Sequence, residues 1–419
     1  MTYINKEKIY GTISREADNF VKLFLDMISL STISPEGTNY KEFVELIRDF
    51  LKDYGIIVTI ETIPSEYTDP RLPAEGKSKP RYLAIIRVGD SRNTILHFNG
   101  HYDVVAGGPG WTVTEPFKPK LIDGKVFGRG AGDMKGGITA TILSIVGLLG
   151  AIDKTGYGIE IFLVPDEEIG GETGTQYITE NNKVRGRYVV IAEPTGLNRI
   201  YIGQKGRIRG LVIVKGKTAH GASPWLGVNA FERASRLAVK MFDELVPKVE
   251  SKRSKFKYDI EEASKATLMI GGLLKGGEKI NQVPGEVIFS IDRRVIPEET
   301  VEDAWREIEE FIAIKAKELG IDVETNLILS QESAVADPNL KLYEAIERSS
   351  ANITGVKPDK VVCFNGLDMI YYLMKGYEVA TYGPGAVGVH APNEYIEVNN
   401  IVTASKIYAE LYLNLISSV

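Results

Sequence analysis

The sequence predicts an α/β protein with a mixed, largely parallel sheet that carries helices on both faces, and with a smaller α+β domain inserted into it. Three observations predict this class. Compact apolar runs without polar alternation recur along the chain, helical segments lie among them, and one stretch follows a different order of strands and helices. Because a chain of 419 residues is longer than one hydrophobic core ordinarily accommodates, two domains are expected.

The elements of the larger domain begin with an amphipathic helix in NYKEFVELIRDFLKDYG. Its apolar face carries Phe43, Ile47, Phe50 and Leu51, and a glycine follows as a stop signal. The buried strands are predicted in the runs RYLAIIRV, NTILHFNG, GIEIFLVP, RYVVIAEP and VATYGP. An apolar helix after Met134 is expected to cover the sheet that these strands form.

A second pattern predicts a separate small domain at residues 205–330. RIRGLVIVKG, ATLMIGGLLKG, EVIFSIDRRV and IDVETNLILS are typical of strands, whereas NAFERASRLAVKMFDEL and EDAWREIEEFIAIKAKEL are typical of helices. Thr300 and Asp303 provide the start signal of the second helix, and a glycine ends it. The resulting order β-α-β-β-α-β is that of the ferredoxin-like motif. We therefore expect a larger domain of residues 1–204 and 331–419 with this small domain inserted between its two parts.

Composition argues against several classes of function. The chain is 43% hydrophobic and 25% charged, as soluble globular proteins are. A formal net charge of -6 without a basic tract indicates no nucleic-acid partner. The N-terminus lacks the pattern of a secretory signal, and the longest apolar stretch, around ILSIVGLL, is expected to be too short to span a membrane. The single Cys363 excludes an intrachain disulfide framework, and a cytoplasmic location fits best.

Three of the four histidines lie in acid-rich or glycine-rich motifs: His101 in HYD, His220 in KTAHGASPWLGVNA and His390 in GVHAPNEY. Neutral imidazole is a preferred ligand of Zn²⁺. His101 and Asp103 stand two residues apart, so an extended backbone places both side chains on one face. That spacing suits a ligand imidazole and a carboxylate that supports it. A surface His–Asp pair is the alternative that the spacing alone leaves open.

Carboxylates stand at the ends of the apolar runs. Asp133 lies in GRGAGDMKGG, a glycine-dense turn that does not match the register of a phosphate-binding loop. Glu167 and Glu168 follow GIEIFLVP, and adjacent residues of an extended chain point in opposite directions, which suits one to metal binding and one to proton transfer. Glu193 ends another run. An acidic turn that caps the next helix explains the glutamate pair alone, and a simple turn explains Glu193 alone. Jointly, however, these residues place ligands at the carboxyl ends of strands, where open α/β sheets bind ligands.

In this order along the chain, HYDVV, GRGAGDMKGG, PDEEIGG, AEPTG, AHGASPWLGVNA, GGEKINQVPGEVIFSIDRR and VHAPNEY resemble motifs of the M20 family of metallopeptidases and amidohydrolases. The family includes acetylornithine deacetylase, succinyl-diaminopimelate desuccinylase and aminoacylase. The resemblance extends from about residue 20 to the C-terminus. It implies a di-zinc exopeptidase-like fold, a homodimer and a place in amino-acid biosynthesis. It also implies that residues 1–204 and 331–419 form the catalytic metal-binding domain and that residues 205–330 form a lid or dimerisation domain.

The resemblance also implies two Zn²⁺ ions per subunit, with Co²⁺ or Mn²⁺ as substitutes. Asp133 resembles the bridging carboxylate. His101 and Glu193 would complete the protein ligands of one ion, and Glu168 and His390 those of the other. Two such ions supply four positive charges against three ligand carboxylates, and the remaining positive charge favours hydroxide over water.

Further roles follow from the same resemblance. Asp103 would support the neighbouring histidine, and Glu167 would be the general base that takes a proton from the attacking water. In the inserted domain, His220 resembles a histidine that reaches the active site of the partner subunit, and Asn281 and Arg294 resemble residues that hold the substrate's carboxylate. From the residues alone, a capping or core role for His220 and a surface ion pair for Arg294 stay open.

One segment departs from the family pattern. Many deacylases of the family carry a Gly-Gly-(Thr/Ser)-(Ser/Thr)-Asp-Ala-Arg-like stretch near the substrate, whereas this chain has Asn365, Gly366, Leu367 and Asp368 in FNGLDMIYY. The acidic position is kept, but the hydroxyl and arginine contacts are missing. Glu193 stands where aminopeptidases of the family usually have Asp, which favours deacylation or carboxypeptidase action.

We therefore predict a di-zinc hydrolase that cleaves the amide bond of N-acyl amino acids, of the deacetylase or desuccinylase type. A carboxypeptidase or dipeptidase with the same site, acting on short peptides, is the alternative enzyme. A catalytically silent metal-binding scaffold is the alternative from another class. The presence of Glu167 disfavours the scaffold, because a silent relative could lose this residue without losing metal.

Overall fold

The computed structural model describes residues 4–417, which divide into two compact units. The larger unit comprises the chain up to Ile202, Ala336–Lys360 and the chain from Leu367 onward. The smaller unit comprises Gly203–Val335 and Val361–Gly366. The smaller unit therefore contains the stretch for which the sequence predicts an insert, together with a short segment from later in the chain.

The larger unit is built from alternating helices and strands. Its helices are Lys6–Ser29, Tyr40–Lys52, Ser65–Thr68, Gly136–Ile152, Thr175–Glu180, Lys341–Thr354, Met369–Met374 and Val398–Ile416. Its strands are Val58–Ile63, Arg81–Val88, Thr94–His101, Lys120–Ile122, Lys125–Phe127, Gly158–Val164, Tyr188–Ile191, Glu378–Thr381, Ala386–Val387 and Tyr395–Glu397. Two further strands begin in the larger unit and end in the smaller one, namely Arg199–Gln204 and Asp359–Cys363.

The central sheet of the larger unit is mixed, as predicted. Its strands follow one another across the sheet in the order Val58–Ile63, Arg81–Val88, Gly158–Val164, Thr94–His101, Tyr188–Ile191, Glu378–Thr381 and Arg199–Gln204. The four strands from Gly158–Val164 to Glu378–Thr381 are parallel to one another, and the outer strands pair antiparallel. Parallel pairing is therefore confined to the centre of the sheet.

Helices cover both faces of this sheet. His97 and Phe98 are adjacent on one central strand, and adjacent side chains of a strand point to opposite faces. The ring of His97 contacts Tyr372 of Met369–Met374, whereas the ring of Phe98 contacts Tyr408 of the C-terminal helix. The two helices consequently lie on opposite faces of the sheet.

The apolar helix after Met134 is longer than the sequence analysis expected. Ala131–Ile152 is a 22-residue segment with a mean hydropathy of 1.6, which is long and apolar enough to cross a membrane, so the expectation that it is too short is wrong. However, 89% of its most apolar window is buried inside the protein. Helices Lys6–Ser29 and Val398–Ile416 pack against it. Its apolar surface on all sides is therefore that of a core helix.

The smaller unit has the predicted ferredoxin-like order of elements. Its main strands lie side by side in one antiparallel sheet, in the order Thr267–Gly276, Glu286–Val295, Gly206–Lys215 and Asp322–Gln331. Helices Ala230–Lys240 and Val301–Leu319 pack against this sheet through a shared apolar core. The hydroxyl of Thr300 accepts the N–H of Asp303, and Gly320 ends the helix at a φ of 62°, so both helix signals are confirmed. Shorter elements of this unit are Ala219–His220, Val246–Glu250, Gln282–Val283 and Ala334–Val335.

Candidate metal centre

Four of the predicted ligands follow the four parallel strands at the centre of the larger unit's sheet. Thr94–His101 ends at His101, Gly158–Val164 precedes Glu168, Tyr188–Ile191 precedes Glu193, and Glu378–Thr381 precedes His390. Parallel strands present their carboxyl ends at one edge of a sheet, which is where open α/β sheets bind ligands. The sheet therefore brings together side chains that lie far apart in the sequence.

Asp133 reaches the same place from a turn. The segment Ala131–Lys135 is an irregular turn immediately before the apolar core helix, and the backbone angles of Asp133 and Met134 in it are not helical. Gly130, just before it, has a φ of 81°, and a Cβ added there would lie 2.6 Å from Cγ1 of Val104. Glycine is thus required both by the left-handed backbone and by the close approach of a neighbouring side chain.

The two carboxylate oxygens of Asp133 face two different groups of side chains. Its Oδ1 lies 2.8 Å from Nε2 of His101, and the same nitrogen lies 3.3 Å from Oε1 of Glu193. Its Oδ2 lies 3.2 Å from Nε2 of His390, and that nitrogen lies 3.0 Å from Oε1 of Glu168. Within each group the ligand atoms lie within 4.8 Å of one another. Asp133 is therefore common to both groups.

These side chains fit a pair of divalent cations. Each group offers one imidazole nitrogen and two carboxylate oxygens, a donor set that suits Zn²⁺ and also Co²⁺ or Mn²⁺. Nδ1 of His101 lies 3.1 Å from the main-chain oxygen of Asp103, and a carbonyl can only accept. A neutral ring that donates from Nδ1 leaves the lone pair of Nε2 on the side of Asp133, as a metal ligand requires.

The electrostatics of the two groups also suit cations. Burial, and next the charge of Asp133, raises the pKa of Glu193 to about 8 and that of Glu168 to about 7. Hydrogen bonds to Asp133 and Glu168 raise the pKa of His390 to about 10. The protein thus holds several carboxylates where they repel one another, and nearby positive charge stabilises their ionised forms.

Asp103 connects the histidine ligand to the glutamate pair. Its Oδ1 lies 3.4 Å from Nδ1 of His101. Its two carboxylate oxygens also accept the backbone N–H groups of Glu167 and Glu168, at 3.0 and 3.1 Å. One buried carboxylate consequently orients the imidazole ring and fixes the turn that carries both glutamates.

The glutamate pair lies on a single 3₁₀ turn, Glu167–Ile169, so the sequence-based argument from an extended strand is wrong. The two side chains nevertheless have different neighbours. Glu168 contacts His390, whereas the carboxylate of Glu167 is near the charges of His101 and Glu193. Burial raises the pKa of Glu167 well above its ordinary value. The different surroundings of the two residues arise from the turn and not from strand alternation.

A buried ion pair anchors the start of this turn. Asp166 has a φ of 64°, a left-handed conformation that is uncommon for residues other than glycine. Its carboxylate accepts hydrogen bonds from Nε of Arg81 at 2.5 Å and from the hydroxyl of Tyr40 at 2.8 Å, and it contacts the hydroxyl of Thr173. The PDEE run shows the acidic residues, but no spacing in the sequence identifies Arg81 or Tyr40 as partners.

His220 and Asn281 lie together in the smaller unit. His220 pairs in register with Gln282, and the N–H of Gly221 donates to the main-chain oxygen of Asn281 at 2.8 Å. Both side chains are exposed, and Nδ1 of His220 accepts the N–H of Ala222 at 3.1 Å. Strand pairing therefore joins two residues that are far apart in the sequence and leaves their side chains accessible.

The two adjacent arginines of the smaller unit differ in their surroundings. Arg293 is fully buried and binds Glu299 and Glu307, each at 2.7 Å. Arg294 points to the other face of strand Glu286–Val295, where it is partly exposed and its Nε donates to Oδ1 of Asp292 at 3.0 Å. Arg293 is thus part of a structural ion-pair network, and Arg294 is the accessible member of the pair.

The divergent segment that contains Asp368 is partly structural. The buried carboxylate of Asp368 accepts a hydrogen bond from the hydroxyl of Thr175, which in turn accepts from Nδ2 of Asn99 at 2.9 Å. Burial raises the pKa of Asp368 to about 6. In the smaller unit, the N–H of Asn365 contacts Sγ of Cys363 at 3.4 Å. The retained acidic residue therefore has protein partners of its own.

Sequence reasoning missed a buried ion pair between two of the motifs. Nη1 of Arg129, in GRGAGDMKGG, lies 2.6 Å from Oε2 of Glu394, in VHAPNEY. Both side chains are almost completely buried. Their presence in motifs that also carry ligands was the available signal, but nothing in the spacing reveals that the two residues meet.

Comparison with known proteins relates most of the chain to one family. The sequence profile described as peptidase family M20/M25/M40 matches residues 97–414. The chain is 27% identical to an uncharacterized metallohydrolase of Methanocaldococcus jannaschii, covering 93% of this chain and 98% of that protein. It is 26% identical to the succinyl-diaminopimelate desuccinylase of Nitratiruptor sp., covering 89% and 93%. The crystal structure of human carnosine dipeptidase 1 shares the fold, with a TM-score of 0.76, 19% identity and 99% of each chain covered.

Proposed function

The chain belongs to peptidase family M20/M25/M40 and is a metal-dependent hydrolase of that family, and from this premise we propose that it cleaves the amide bond of N-acyl amino acids with two divalent cations, in the first place Zn²⁺. The observation that carries the proposal is Asp133, whose two oxygens face two separate groups of ligands. The desuccinylase name of one relative supports a deacylase over a peptidase.

Bound cations of this kind polarise a substrate carbonyl and make water more acidic. In the proposed reaction, water attacks the amide carbonyl while the carboxylate of Glu167 accepts one of its protons. Glu167 then passes that proton to the leaving nitrogen, so that amide and water become a carboxylic acid and an amine. Asp103 keeps Glu167 in place through the hydrogen bond to its backbone N–H.

We further propose a homodimer in which His220 of the partner subunit stabilises the tetrahedral intermediate. Asn281 and Arg294 would hold the substrate's carboxylate. The exposure of His220 and Asn281 and the accessible guanidinium of Arg294 support these roles, because residues that bind a ligand must be reachable. A cytoplasmic location and a place in amino-acid biosynthesis stay predictions.

A dipeptidase or carboxypeptidase with the same ligands is the second candidate. The observation that favours it is the segment Asn365–Asp368, which lacks the hydroxyl and arginine contacts of many deacylases. In addition, Asp368 already binds Thr175 within the protein. A side chain engaged in this way contributes less to the recognition of an acyl group.

The test is a hydrolysis screen on protein of known metal content. We expect two ions per subunit and faster cleavage of N-acetyl or N-succinyl amino acids than of dipeptides. Glu167→Gln should keep both ions and lower kcat by about 10²–10⁴-fold, because the amide cannot accept the proton. Glu172 lies just after the turn Glu167–Ile169 and is exposed, so Glu172→Gln is the matched control and should leave kcat unchanged.

Each other outcome points to a different conclusion. Near-normal turnover of Glu167→Gln with two bound ions would reject Glu167 as the base. Faster cleavage of dipeptides would transfer the function to the second candidate. Two bound ions without hydrolysis of any amide would support a silent metal-binding scaffold.

A further inference from the structure

We propose that Glu394 is a positioning residue that, together with Arg129, holds two segments in one fixed arrangement. These are the turn of residues 129–135, which carries Asp133, and the loop of residues 388–394, which carries His390. The group of Asp133, Glu168 and His390 is then assembled before a cation binds. This inference rests on the proposed function, because it concerns the same ligands. It assigns a role to two residues that neither bind a cation nor contact the substrate in the proposed reaction.

Glu394 is saturated with donors from the segment that carries Asp133. Its Oε1 accepts the backbone N–H of Gly132 at 2.8 Å and that of Asp133 at 3.2 Å. Its Oε2 accepts the N–H of Gly130 at 3.2 Å and Nη1 of Arg129 at 2.6 Å. Four donors from five consecutive residues therefore converge on one carboxylate, and the side chain is completely buried. Such charge-assisted hydrogen bonds are stronger than neutral ones.

The same ion pair reaches the backbone of the other ligand loop. Nη2 of Arg129 donates to the main-chain oxygen of His390 at 3.1 Å. His390 has a φ of 61°, a conformation that a residue other than glycine keeps only when its surroundings enforce it. Arg129 thus holds Glu394 with one nitrogen and the backbone of a ligand with the other.

The packing of the two segments leaves little room for adjustment. A Cβ added at Gly132 would lie 2.4 Å from Cβ of Ala386 and 3.4 Å from Oε1 of Glu394. Immediately after Glu394, Tyr395 pairs in register with Phe127 of strand Lys125–Phe127. This antiparallel pairing sets the two segments side by side, and the ion pair then fixes the turn and the loop that extend from it.

The chemistry of the contacts requires a carboxylate at position 394. Both oxygens face N–H donors only, so a glutamine in either orientation would direct its NH₂ group at two donors. A buried ion pair is also weak evidence for a contribution to stability alone, because desolvation offsets much of the attraction. A role in geometry explains why the donors are gathered from the turn that presents a shared ligand.

The experiment compares Zn²⁺ binding by the whole protein and by Glu394→Gln, with Glu410→Gln as the matched control. Glu410 is also buried in the larger unit. It accepts hydrogen bonds from Lys6 and Asn352, at 2.8 Å each, and from Tyr10, and none of these partners is a proposed ligand. We expect Glu394→Gln to bind the Zn²⁺ of the Asp133, Glu168 and His390 group about 10–100-fold more weakly, which is the usual effect of losing a residue that supports ligands. Glu410→Gln should keep both affinities.

A second readout separates positioning from stability. Added Zn²⁺ raises Tm by an amount that depends on its affinity for the folded protein. A purely structural Glu394 would lower the Tm of chelator-treated protein but leave the Zn²⁺-induced rise unchanged. A positioning Glu394 reduces that rise. Restoring the carboxylate on a shorter side chain, in Glu394→Asp, should recover part of it.

Arg129→Lys keeps the inference testable if Glu394→Gln fails to fold. A lysine retains the charge but cannot donate to both Oε2 of Glu394 and the main-chain oxygen of His390 as the arginine does. We therefore expect the Zn²⁺ of the group that contains His390 to bind more weakly. Unchanged Zn²⁺ affinities and an unchanged Tm rise in the folded variants would overturn the inference and leave the proposed function intact. Wild-type protein that binds no Zn²⁺ would remove the proposed metal centre and this inference with it.

Discussion

The proposed ligands and the proposed substrate-binding residues lie in contrasting surroundings. In the larger unit, His101 is 1% exposed and its ring nitrogens lie within 3.4 Å of three carboxylates. In the smaller unit, His220 is exposed and its ring accepts one backbone N–H. The difference shows what each task demands. Ligands that carry like charges must be held together against their repulsion, whereas residues that recognise a substrate must stay accessible to it.

The most severe test of this contrast removes the carboxylate common to both ligand groups. Asp133→Ala should lose both ions and all measurable turnover, because its two oxygens serve the two groups. Glu193→Ala should lose one ion, because Glu193 belongs to one group only. Elemental analysis of the dialysed proteins measures the stoichiometry. Loss of one ion in both variants would reject Asp133 as a shared ligand.

The second test asks whether the exposed His220 of one subunit completes the active site of another subunit. If His220 acts in the partner's site, mixing inactive His220→Ala with inactive Glu167→Gln should restore activity, since one site of each hybrid dimer contains both intact residues. Random exchange makes half of the dimers hybrids with one competent site, so about a quarter of wild-type activity is the ceiling.

Two controls make the mixing experiment decisive. Recovery must follow the exchange of subunits, which a size or label difference between the two variants can report. Absence of recovery after verified exchange, or an active monomer by light scattering, would contradict the shared site. The proposed chemistry of the ligand cluster would be unaffected by that result.

Several parts of the fold and the site were predictable because local patterns determine them. The apolar runs predicted the central strands, the helix signals at Thr300 and Gly320 were confirmed, and the order of elements predicted the inserted fold. The ligands could be proposed because carboxyl ends of parallel strands meet at one edge, whatever the length of chain between them. Each of these arguments depends on a regular geometry that the sequence specifies locally.

The parts that the sequence did not reveal depend on pairings between distant segments. Neither the ion pair of Arg129 with Glu394 nor that of Arg81 with Asp166 follows from a spacing rule. The 3₁₀ turn at Glu167 also replaced the extended strand that the alternation argument assumed. In each case a tertiary contact decides the conformation, and a single sequence contains no direct record of such contacts.

His97 lies on the same strand as His101 and is equally buried, so the surroundings of the two histidines can be compared directly. Its Nδ1 lies 3.1 Å from Oε1 of Glu160 and its Nε2 lies 2.8 Å from the hydroxyl of Tyr372. Glu160 also binds Arg87 at 3.0 Å and accepts backbone N–H groups. Both ring nitrogens of His97 are therefore occupied by protein groups, so we expect this pair to support the fold and not a cation.

This expectation leads to a prediction about the pH dependence of stability. Burial alone would raise the pKa of Glu160, but hydrogen bonds from His97 and from two backbone N–H groups outweigh it and lower the pKa to about 2. A carboxylate whose pKa is lower in the folded state stabilises the protein above its unfolded pKa of about 4.5, and this contribution is lost as the pH falls towards 2. Glu160→Gln should therefore lower the free energy of unfolding by ~2–3 kcal/mol at pH 7, and the difference from wild type should shrink below about pH 4.5.

Urea unfolding of chelator-treated protein at several pH values measures this difference. Metal analysis of the untreated Glu160→Gln variant at pH 7 should still find two ions. A gap that does not change with pH, or the loss of an ion in Glu160→Gln, would show that the His97 pair and the ligand cluster are not the separate systems inferred from their contacts.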